Sequence, residues 1–451
     1  MARATTATKR AATPKPAPSR PTRGGGRPVY IVDGARTPFL RARNKPGPFT
    51  PVDLAVQCGR PLLLRQPFAP DAFDTVVLGC VNVIADEMNP ARVAALRLGL
   101  GAAMTAYTVQ INCGSGMQSL DSAFRTIEAG RADLILAGGT EALSHAPLVL
   151  RQEAVEWFGE FATAKSTMDK VSAISGLRPG FAKPVIGLER GLTDPITELN
   201  MGQTAEVLAH LFDISREAAD AYALESHRRL ATAQKEGWLE GEAIPAFDRE
   251  GTIHDHDDGV RPDSTMDKLA KLKPVFEKPH GKVTPGNSSQ ITDGACWVVL
   301  ASEEAIRKHK LEPLARLVDS EWAALDPSIM GLGPVLSVTP ILQRRGMSRQ
   351  DVALWEINEA FAAQVLACLA AWEDETFCRK VLGLAGTFGR IDHGILNVDG
   401  GAISLGHPVG TSGARIVLHL ANAMKRLGGK TGIATECIGG GQGGAMLLEA
   451  V

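Results

Sequence analysis

The sequence predicts an α/β fold built around a largely parallel sheet. Short runs of apolar, often β-branched residues alternate with segments whose apolar residues recur at helical spacing. This alternation is typical of strands joined by crossover helices. It occurs towards both ends of the 451-residue chain and is interrupted by a charged, proline-rich middle region. We therefore expect two halves of one fold separated by an insertion.

In the first half, the expected strands and helices follow one another in a regular order. Apolar runs predict the strands, and glycines often follow them and mark turns. Apolar residues at helical spacing predict the helices, one of which has Pro90 in its first turn. The expected strands are 28–32, 74–79, 107–111 and 133–139, and the expected helices are 51–64, 89–98 and one that follows residue 116 and ends at about 129.

The second half resumes this order after the insertion. Residues 148–282 lack buried-strand patterns and contain a long amphipathic helix over 216–236. In each half a strand is followed by glycines, at 138–139 and at 439–441, which indicates a weak internal duplication. The expected strands here are 294–300, 315–318, 352–357, 432–435 and 444–449.

Composition excludes several classes of protein. The formal net charge is -2, which is not the footprint of a nucleic-acid-binding protein, and no run of apolar residues is long enough for a membrane helix. The seven cysteines are widely spaced, without a C-x-x-C pair or a Cys/His cluster, so we expect no metal site. These thiols, and the lack of an apolar secretory signal, favour a reduced, cytoplasmic location.

Residues 1–27 differ from the rest of the chain. They hold seven Lys or Arg residues and no acidic residue. Such a segment buries too little apolar surface to fold, so we expect a disordered basic tail. An arm that contacts an anionic surface and an Arg-rich transit peptide are the alternatives.

The segment around Cys113 is the first candidate for chemistry. Cys113 stands between an expected strand and an expected helix, where the helix dipole and unpaired N–H groups favour the nucleophilic thiolate. Gly114 and Gly116 let a substrate approach the backbone. A buried structural cysteine at a turn explains the pattern equally well.

Two further segments supply an amide and an imidazole. Asn358 directly follows an expected strand, at the strand end where α/β proteins bind ligands, although it would also serve as the N-cap of the next helix. His407 lies between Gly406 and Pro408, which restrict its backbone and leave space around the ring. This setting makes His407 a candidate general base for a thiol, although a lone histidine is more often structural.

The fourth segment is Cys437 followed by the glycines at 439–441. Consecutive N–H groups of such a run form a nest that binds an oxyanion, and a phosphate loop would look similar. Two thiols, an imidazole, an amide and a donor-rich loop suit Claisen chemistry. One thiol holds the acyl group, and a second acid/base moves a proton at the carbon α to a thioester.

These segments, in this order and spacing, resemble those of thiolases from about Val29 to Val451. The resemblance implies the five-layered α-β-α-β-α thiolase fold, in which two βαβαβαββ halves face each other beneath a loop domain. The corresponding boundaries are 1–27 for the tail, 28–147 for the first part of the N-terminal half, 148–282 for the loop domain over the CoA site, 283–303 for the return to the N-terminal half and 304–451 for the C-terminal half.

The resemblance also implies a role for each residue. Cys113 would be the acylated nucleophile, His407 would activate it, and Cys437 would move the proton to or from acetyl-CoA. Asn358 would hold a water that forms the first oxyanion hole with His407, and the N–H groups of Cys113 and Gly439 would form the second. Coenzyme A would be a substrate, so no cofactor is expected.

Contacts to CoA and to the acyl group follow from the same resemblance. Ser289 lies in the segment 283–289, which matches the family beside the pantetheine, and is the expected CoA contact. Met201, Phe361 and Arg261 are the other expected contacts to substrate or CoA.

Within the family, the segments 35–39 and 266–274 resemble the trifunctional enzyme β subunits and their bacterial counterparts. Two residues depart from family patterns. That group usually has a histidine at the position of Asn358. Many short-chain enzymes have the motif His-Met-Gly in the covering loop, where this chain has Asn-Met-Gly beginning at Asn200. Acyl chain length is therefore open. Acetyl-CoA C-acetyltransferase activity is the first expectation, and a medium- or long-chain 3-ketoacyl-CoA thiolase of β-oxidation is the alternative.

Two other classes of function deserve comparison, a ketoacyl synthase-like condensing enzyme and a non-catalytic CoA- or lipid-binding module. Cys437 disfavours the first, and the four intact catalytic positions disfavour the second. The expected partners are acyl-CoA and CoA, further copies of the chain in a homodimer or homotetramer, and, as a candidate, the α-subunit of a β-oxidation complex.

The insertion at 152–186 contains Trp157, Phe158 and Phe161 close together. In the β-subunit group this region contacts a partner subunit or a membrane. We expect the aromatic side chains here to pack on their own domain instead, because buried aromatics usually serve cores.

Overall fold

The computed structural model describes residues 26–43 and 45–451. The tail expected over 1–27 therefore lies outside the described residues, apart from its last two positions. Of these, Arg27 donates hydrogen bonds to the Asp133 carboxylate and to the carbonyl oxygens of Ile127 and Ala132. Arg27 is thus anchored to the folded protein. None of the described helices is long and apolar enough to cross a membrane.

Strands and helices alternate along the described residues as expected, with a long insertion between the halves. The strands are β1 (Val29–Arg36), β2 (Leu40–Arg41), β3 (Thr75–Gly79), β4 (Thr105–Val109), β5 (Leu134–Ala142), β6 (Leu148–Val149), β7 (Val185–Ile186), β8 (Ala246–Phe247), β9 (Ile253–His254), β10 (Thr292–Ser302), β11 (Ala315–Ala324), β12 (Leu354–Ile357), β13 (Thr431–Ile438) and β14 (Gln442–Glu449). The helices are α1 (Pro51–Leu64), α2 (Pro90–Arg97), α3 (Ser115–Glu128), α4 (Gln152–Thr163), α5 (Thr167–Ser175), α6 (Gly187–Gly191), α7 (Met201–Leu211), α8 (Arg216–Lys235), α9 (Met266–Ala270), α10 (Glu303–His309), α11 (Gly333–Arg345), α12 (Ala362–Glu373), α13 (Glu375–Lys380), α14 (Ala402–Leu405) and α15 (Val409–Leu427).

The sheet is mixed, so the expectation of a largely parallel sheet is wrong. The path runs β12-β13-β14-β11-β1-β10-β5-β3-β4, and only β12–β13, β3–β4 and β3–β5 pair in parallel. The strands that complete each half run antiparallel to their neighbours. The physical reason is connection length: β13 and β14 are joined by a tight glycine turn, which permits only an antiparallel hairpin, whereas a parallel pair needs a crossover.

Strand order supports the duplication that the glycine-rich turns indicate. The N-terminal half has the order β4-β3-β5-β10-β1, and the C-terminal half has β12-β13-β14-β11. A parallel bridge between Trp355 of β12 and Leu396 supplies the counterpart of β4. In both halves, a helix that begins just after a candidate catalytic residue then leads into the next strand. This helix is α3 after Cys113 and α15 after His407.

Three hydrophobic clusters divide the fold into five layers. α1 and α2 pack on the outer face of the N-terminal sheet. α3 and α15 pack against each other and against both sheets, and α11 and α12 cover the outer face of the C-terminal sheet. The α-β-α-β-α arrangement expected from the sequence is therefore present, and it places α3 and α15 side by side at its centre.

The chain between β5 and β10 is fastened to the core by a buried ion-pair cluster. Arg36, at the end of β1, is almost fully buried and pairs with Glu242 at 3.0 Å and Asp257 at 2.7 Å. Removing one partner of such a cluster would leave a buried charge without compensation, so these contacts hold the segment in one position.

The aromatic residues of the insertion pack largely on their own segment. The Trp157 ring stacks on Phe161 with centroids 5.6 Å apart, and its indole N–H donates to the Ala173 carbonyl at 2.7 Å. Phe158 contacts the Trp157 ring edge-on and remains about half exposed, at 51%. Trp157 therefore serves the local packing of α4 against α5.

Candidate functional site

The loop between β4 and α3 presents Cys113. Asn112 has a positive φ of 47°, a conformation that asparagine tolerates better than most residues, and its side-chain amide donates to the Gly439 carbonyl at 2.8 Å. The Ser115 hydroxyl accepts from the Ile111 N–H and donates to the Asn112 carbonyl. These contacts fix the turn, and they explain why β4 ends at Val109 rather than at residue 111.

The Cys113 side chain is protonated in the resting site. Burial raises the pKa of its thiol to about 11, although the N–H groups of Gly439 and of Cys113 itself favour the charged form. The loss of hydration therefore raises the pKa more than these N–H groups lower it. The N–H groups favour the thiolate, as expected from the sequence, but they do not overcome the effect of burial, so the thiol needs a base before it can attack.

Glycines let the central helices approach closely enough to supply that base. A Cβ at Gly116 of α3 would lie 2.8 Å from the Ala414 nitrogen of α15, and one at Gly139 of β5 would lie 2.1 Å from the Gly410 carbonyl oxygen. Any larger side chain at either position would separate the backbones. This contact brings the starts of α3 and α15, and hence Cys113 and His407, to the same place.

His407 is buried and anchored through one ring nitrogen. Its Nδ1 lies 2.6 Å from the Ser412 hydroxyl, which also reaches the Pro408 carbonyl oxygen at 3.3 Å. We assign the hydroxyl as donor to the carbonyl and acceptor from Nδ1–H, which leaves the lone pair on Nε2. Within the described residues Nε2 has no hydrogen-bond partner. Burial, aided by Arg415, lowers the pKa of His407 to about 4, so the ring is neutral at pH 7.

Asn358 is fully buried at the end of β12. Its backbone N–H donates to the Thr435 carbonyl at 2.9 Å, and its side-chain nitrogen lies 3.5 Å from His407 Nδ1, too long for a strong hydrogen bond. Its side-chain oxygen has no partner among the described residues. The N-cap alternative is wrong, because α12 begins four residues later, with Phe361 at its N-cap.

Cys437 and Gly439 close the site from β13. Cys437 is buried, and the pKa of its thiol is well above the ordinary value. Burial is the main cause, and the neighbouring Cys113 adds to it. Gly439 lies in the turn to β14, where Gly440 and Gly441 have positive φ values of 89° and 78°. That turn directs the Gly439 N–H at the Cys113 thiol. The structure thus brings the four candidate catalytic side chains and Gly439 to one place.

The substrate side of the site is a small apolar cluster around Cys437. It contains Phe361 and Met330, with Met201 and Phe276 packed against it. The sulfur of Met201 would lie 3.3 Å from a Cβ at Gly439, and the Phe361 and Phe276 rings meet edge-on at 6.2 Å. Met201 and Phe361 therefore lie in the same apolar cluster as Cys437, and their contact with substrate stays a prediction.

Ser289 and Arg261 have different surroundings. The Ser289 N–H donates to the Ala360 carbonyl at 3.0 Å, which joins its segment to the loop that carries Asn358. The Arg261 N–H donates to the imidazole of His227 on α8, away from the apolar cluster. Burial and the nearby Arg41 guanidinium lower the pKa of Arg261. The contact of Arg261 with substrate or CoA stays a prediction.

Three residues around the site were not expected from the sequence. Ser412 anchors His407, and the buried Glu359 accepts hydrogen bonds from Tyr222, Ser226 and Asn397. Glu141, inside β5, contacts the first turn of α15. A signal was present for Glu141, since it is the one charged residue in an otherwise apolar and small-residue strand. Ser412 and Glu359 lie beside the candidate residues in the sequence, and only their hydrogen bonds in the structure identify them as part of the site.

Comparison with known proteins gives consistent similarities over both halves. The family domain described as "Thiolase, N-terminal domain" matches residues 29–304, and "Thiolase, C-terminal domain" matches 311–450. The chain is 39% identical to a mitochondrial 3-ketoacyl-CoA thiolase of Bos taurus, over 94% of this chain and 98% of that protein. It is 39% identical to a beta-ketoadipyl-CoA thiolase of Pseudomonas aeruginosa, over 94% and 100% respectively.

Solved structures agree with these sequence similarities. A Bacillus anthracis acetyl-CoA acetyltransferase superposes with a TM-score of 0.81 at 36% identity, covering 94% of this chain and 99% of that one. Human mitochondrial 3-ketoacyl-CoA thiolase in complex with CoA superposes with a TM-score of 0.80 at 36% identity, covering 94% and 98%.

Proposed function

We propose, because this chain belongs to the thiolase family of acyltransferases, that it moves acyl groups between CoA thioesters through an acyl-Cys113 intermediate. The observation that carries this assignment is the unpartnered, buried Nε2 of His407, whose opposite nitrogen is anchored by Ser412. A neutral imidazole held in this way is suited to take the proton of a neighbouring protonated thiol.

In the thiolytic direction, the first step breaks the carbon–carbon bond. The Cys113 sulfur attacks the 3-keto carbon while its proton passes to His407 Nε2. The N–H groups of Cys113 and Gly439 would stabilise the oxyanion that forms. Bond cleavage leaves the acyl group on Cys113 and releases the enolate of acetyl-CoA, which takes its proton from the Cys437 thiol.

The second step returns the enzyme to its starting state. A CoA thiol gives its proton to the Cys437 thiolate and attacks the acyl carbonyl, and the released Cys113 sulfur recovers the proton from His407. The unpartnered side-chain oxygen of Asn358 is suited to accept a hydrogen bond from a water, which would donate to the thioester oxygen beside His407. Condensation follows the same steps in reverse.

For the acyl group, we propose a short chain, with acetoacetyl-CoA as the first candidate. The bulky side chains of Met201, Met330 and Phe361 crowd the cluster around Cys437 and favour a small acyl group. The second candidate is a longer 3-ketoacyl-CoA of β-oxidation. The name of the Bos taurus relative, 3-ketoacyl-CoA thiolase, favours it.

A chain-length series separates the two candidates. In thiolysis of 3-oxoacyl-CoA substrates with four to sixteen carbons, kcat/KM is expected to be highest for acetoacetyl-CoA. It should fall about tenfold or more for long chains, because a crowded pocket rejects added methylenes. Met201→Ala should relax this preference, whereas Met266→Ala, at the exposed start of α9, should not. A kcat/KM that rises steadily with chain length would establish the second candidate.

We also propose that the chain forms a homo-oligomer through β4. This strand ends the sheet path, pairs only with β3 among the described strands, and exposes Tyr107 at 43%. An unprotected edge strand can pair with a second copy.

Sedimentation velocity tests this interface. Wild-type protein is expected to sediment as a dimer or larger species, and Tyr107→Lys to shift it towards monomer. Leu96→Lys, an equally exposed apolar position on α2, serves as the matched control. A monomeric wild-type protein, or an unchanged Tyr107→Lys variant, would remove the support for pairing through β4.

A further inference from the structure

Glu141 is a buried acid that the steps above do not use. It lies near the end of β5, a strand whose nine residues are all buried, and its own side chain is fully buried. A carboxyl group in such a place costs folding free energy unless its oxygens are hydrogen-bonded. The groups that compensate the cost of burying Glu141 therefore show what its carboxyl group does for the site.

Three backbone N–H groups satisfy this carboxyl. Oε2 accepts from Gly410 at 2.9 Å and from Val81 at 3.1 Å, and Oε1 accepts from Asn82 at 2.9 Å. All three partners are donors, so the arrangement favours the ionised form, whose two oxygens are the stronger acceptors. Protonation weakens the hydrogen bonds to the oxygen that gains the proton and gives it a hydroxyl hydrogen that the described residues around it do not accept.

The contact with Gly410 reaches the start of α15. Gly410 is the second residue of this 19-residue helix, where an anion interacts favourably with the helix dipole. A Cβ at Gly410 would lie 2.7 Å from Glu141 Oε2 and 3.0 Å from the Thr140 carbonyl oxygen, so the carboxylate touches the helix backbone itself.

The same turn carries both supports of the catalytic imidazole. His407 lies three residues before Gly410, and Ser412, which anchors Nδ1 at 2.6 Å, lies two residues after it. A shift of this turn would move the backbone of His407 and its hydrogen-bonding partner together. The position of Nε2 relative to the Cys113 thiol therefore depends on how firmly Gly410 is held.

We infer that Glu141, as a carboxylate, is a positioning residue that holds the first turn of α15 and thereby aligns His407 with the Cys113 thiol, and that protonation of Glu141 releases this turn. The inference rests on the proposed function for its catalytic consequence. It adds a residue that touches no substrate and still controls proton transfer.

The surroundings of Glu141 bring the pKa of its carboxyl group close to neutral pH. Burial raises its pKa to about 7, although the three N–H groups act in the opposite direction and Asp293 of β10 reinforces the rise. The other titratable groups whose charge interacts with that of Glu141 are Cys80 after β3 and Cys113 before α3. Both thiols are neutral at pH 7 because burial raises their pKa values, and His407 is neutral because its pKa is lowered to about 4.

The sign of the pH dependence follows directly. The ionised form of Glu141 is the active one, so kcat falls as pH drops through about 7. Cys113 and His407 would not produce this acid limb, because their pKa values lie near 11 and 4. We therefore expect the acid limb to come from a group outside the reacting ones. Burial also raises the pKa of Glu356 in β12 to about 7, so the Glu141 variant decides between the two carboxyl groups.

The test compares full-length wild-type protein with Glu141→Gln in acetoacetyl-CoA thiolysis across this pH range. Glutamine keeps the size but presents an NH₂ group to one N–H donor. We expect kcat at neutral pH or above to fall about 10²-fold with little change in KM, as a small misplacement of a catalytic group does. The acid limb near pH 7 should disappear. Asp293→Asn, the neighbouring buried acid, is the matched control: it should retain the limb but displace it towards lower pH, because the Asp293 charge raises the pKa of Glu141.

Hydrogen–deuterium exchange provides a readout that does not need activity. Glu141→Gln should speed exchange in peptides covering 80–82 and 406–412 while leaving α12 unchanged. Wild-type kcat and acid limb in a folded Glu141→Gln variant, or unchanged exchange at these peptides, would overturn the inference. If that variant does not fold, a wild-type kcat profile that is flat around pH 7 would overturn it. A wild-type protein without thiolysis would instead count against the proposed function, and the exchange data would still decide whether Glu141 holds the turn.

Discussion

Cys113→Ala is expected to lower CoA-dependent thiolysis of acetoacetyl-CoA by about 10⁴-fold or more, because it removes the atom that accepts the acyl group. The residue supports no other element by its side chain: the turn around it is fixed by Asn112 and Ser115. The variant should therefore remain folded and keep its thermal midpoint. Activity is measured as acetyl-CoA production, and acylation as the mass of the intact protein after incubation with acyl-CoA.

The matched control for this substitution is Cys58→Ala. Cys58 is a buried thiol in α1, on the outer face of the N-terminal sheet, and lies in a different hydrophobic cluster from the site. It should retain turnover and still acquire one acyl group. Turnover in Cys113→Ala close to that of Cys58→Ala would refute the assignment of Cys113 as nucleophile.

Cys437→Ala is expected to separate the two half-reactions. Acyl transfer from acetyl-CoA to Cys113 needs His407 and the N–H groups near Gly439, which this substitution leaves in place. Without Cys437 the departing CoA thiolate, a good leaving group, takes its proton from water, so acylation should be slower but not abolished. Condensation also needs a group that removes a proton from a second acetyl-CoA. Losing such an acid/base typically costs 10²- to 10⁴-fold, so condensation should fall by about this factor while the acetyl-enzyme still accumulates.

Proton exchange gives a direct view of the same step. Wild-type protein in D₂O is expected to introduce deuterium into the methyl group of acetyl-CoA, and Cys437→Ala should not. Cys368→Ala is the matched control, because it is another buried thiol close to Cys437 that hydrogen-bonds to the Gly331 carbonyl rather than facing substrate. Full condensation by Cys437→Ala would overturn the acid/base role.

Local patterns predicted most elements of the fold because those elements depend on nearby residues. The helix at 51–64 was predicted with its observed bounds, since Thr50 caps it, Pro51 begins it and its apolar residues recur at helical spacing. The prediction of strand direction was wrong. Whether a strand runs parallel or antiparallel depends on connections and partners elsewhere in the chain, as β1, β10 and β11 show.

The candidate site divides in the same way. Cys113, Asn358, His407 and Cys437 stand out because each combines a reactive or polar side chain with a strand end or glycine-rich turn. Their protonation states could not be read from those patterns. The helix start beside Cys113 favours a thiolate, but burial, which the tertiary structure creates, raises its pKa to about 11.

The sequence by itself therefore predicted the order of strands and helices, the internal duplication and the candidate residues for the chemistry, because these depend on local periodicity, turn-forming residues and short motifs. Only the tertiary structure decided that α3 approaches α15 at Gly116, that β5 approaches α15 at Gly139, and that Nε2 of His407 has no partner among the described residues while Ser412 holds Nδ1. The same packing places Glu141 against the first turn of α15. These features depend on contacts between residues far apart in the chain. The distances, burial and hydrogen bonds at these contacts are set only when the layers of the fold pack together.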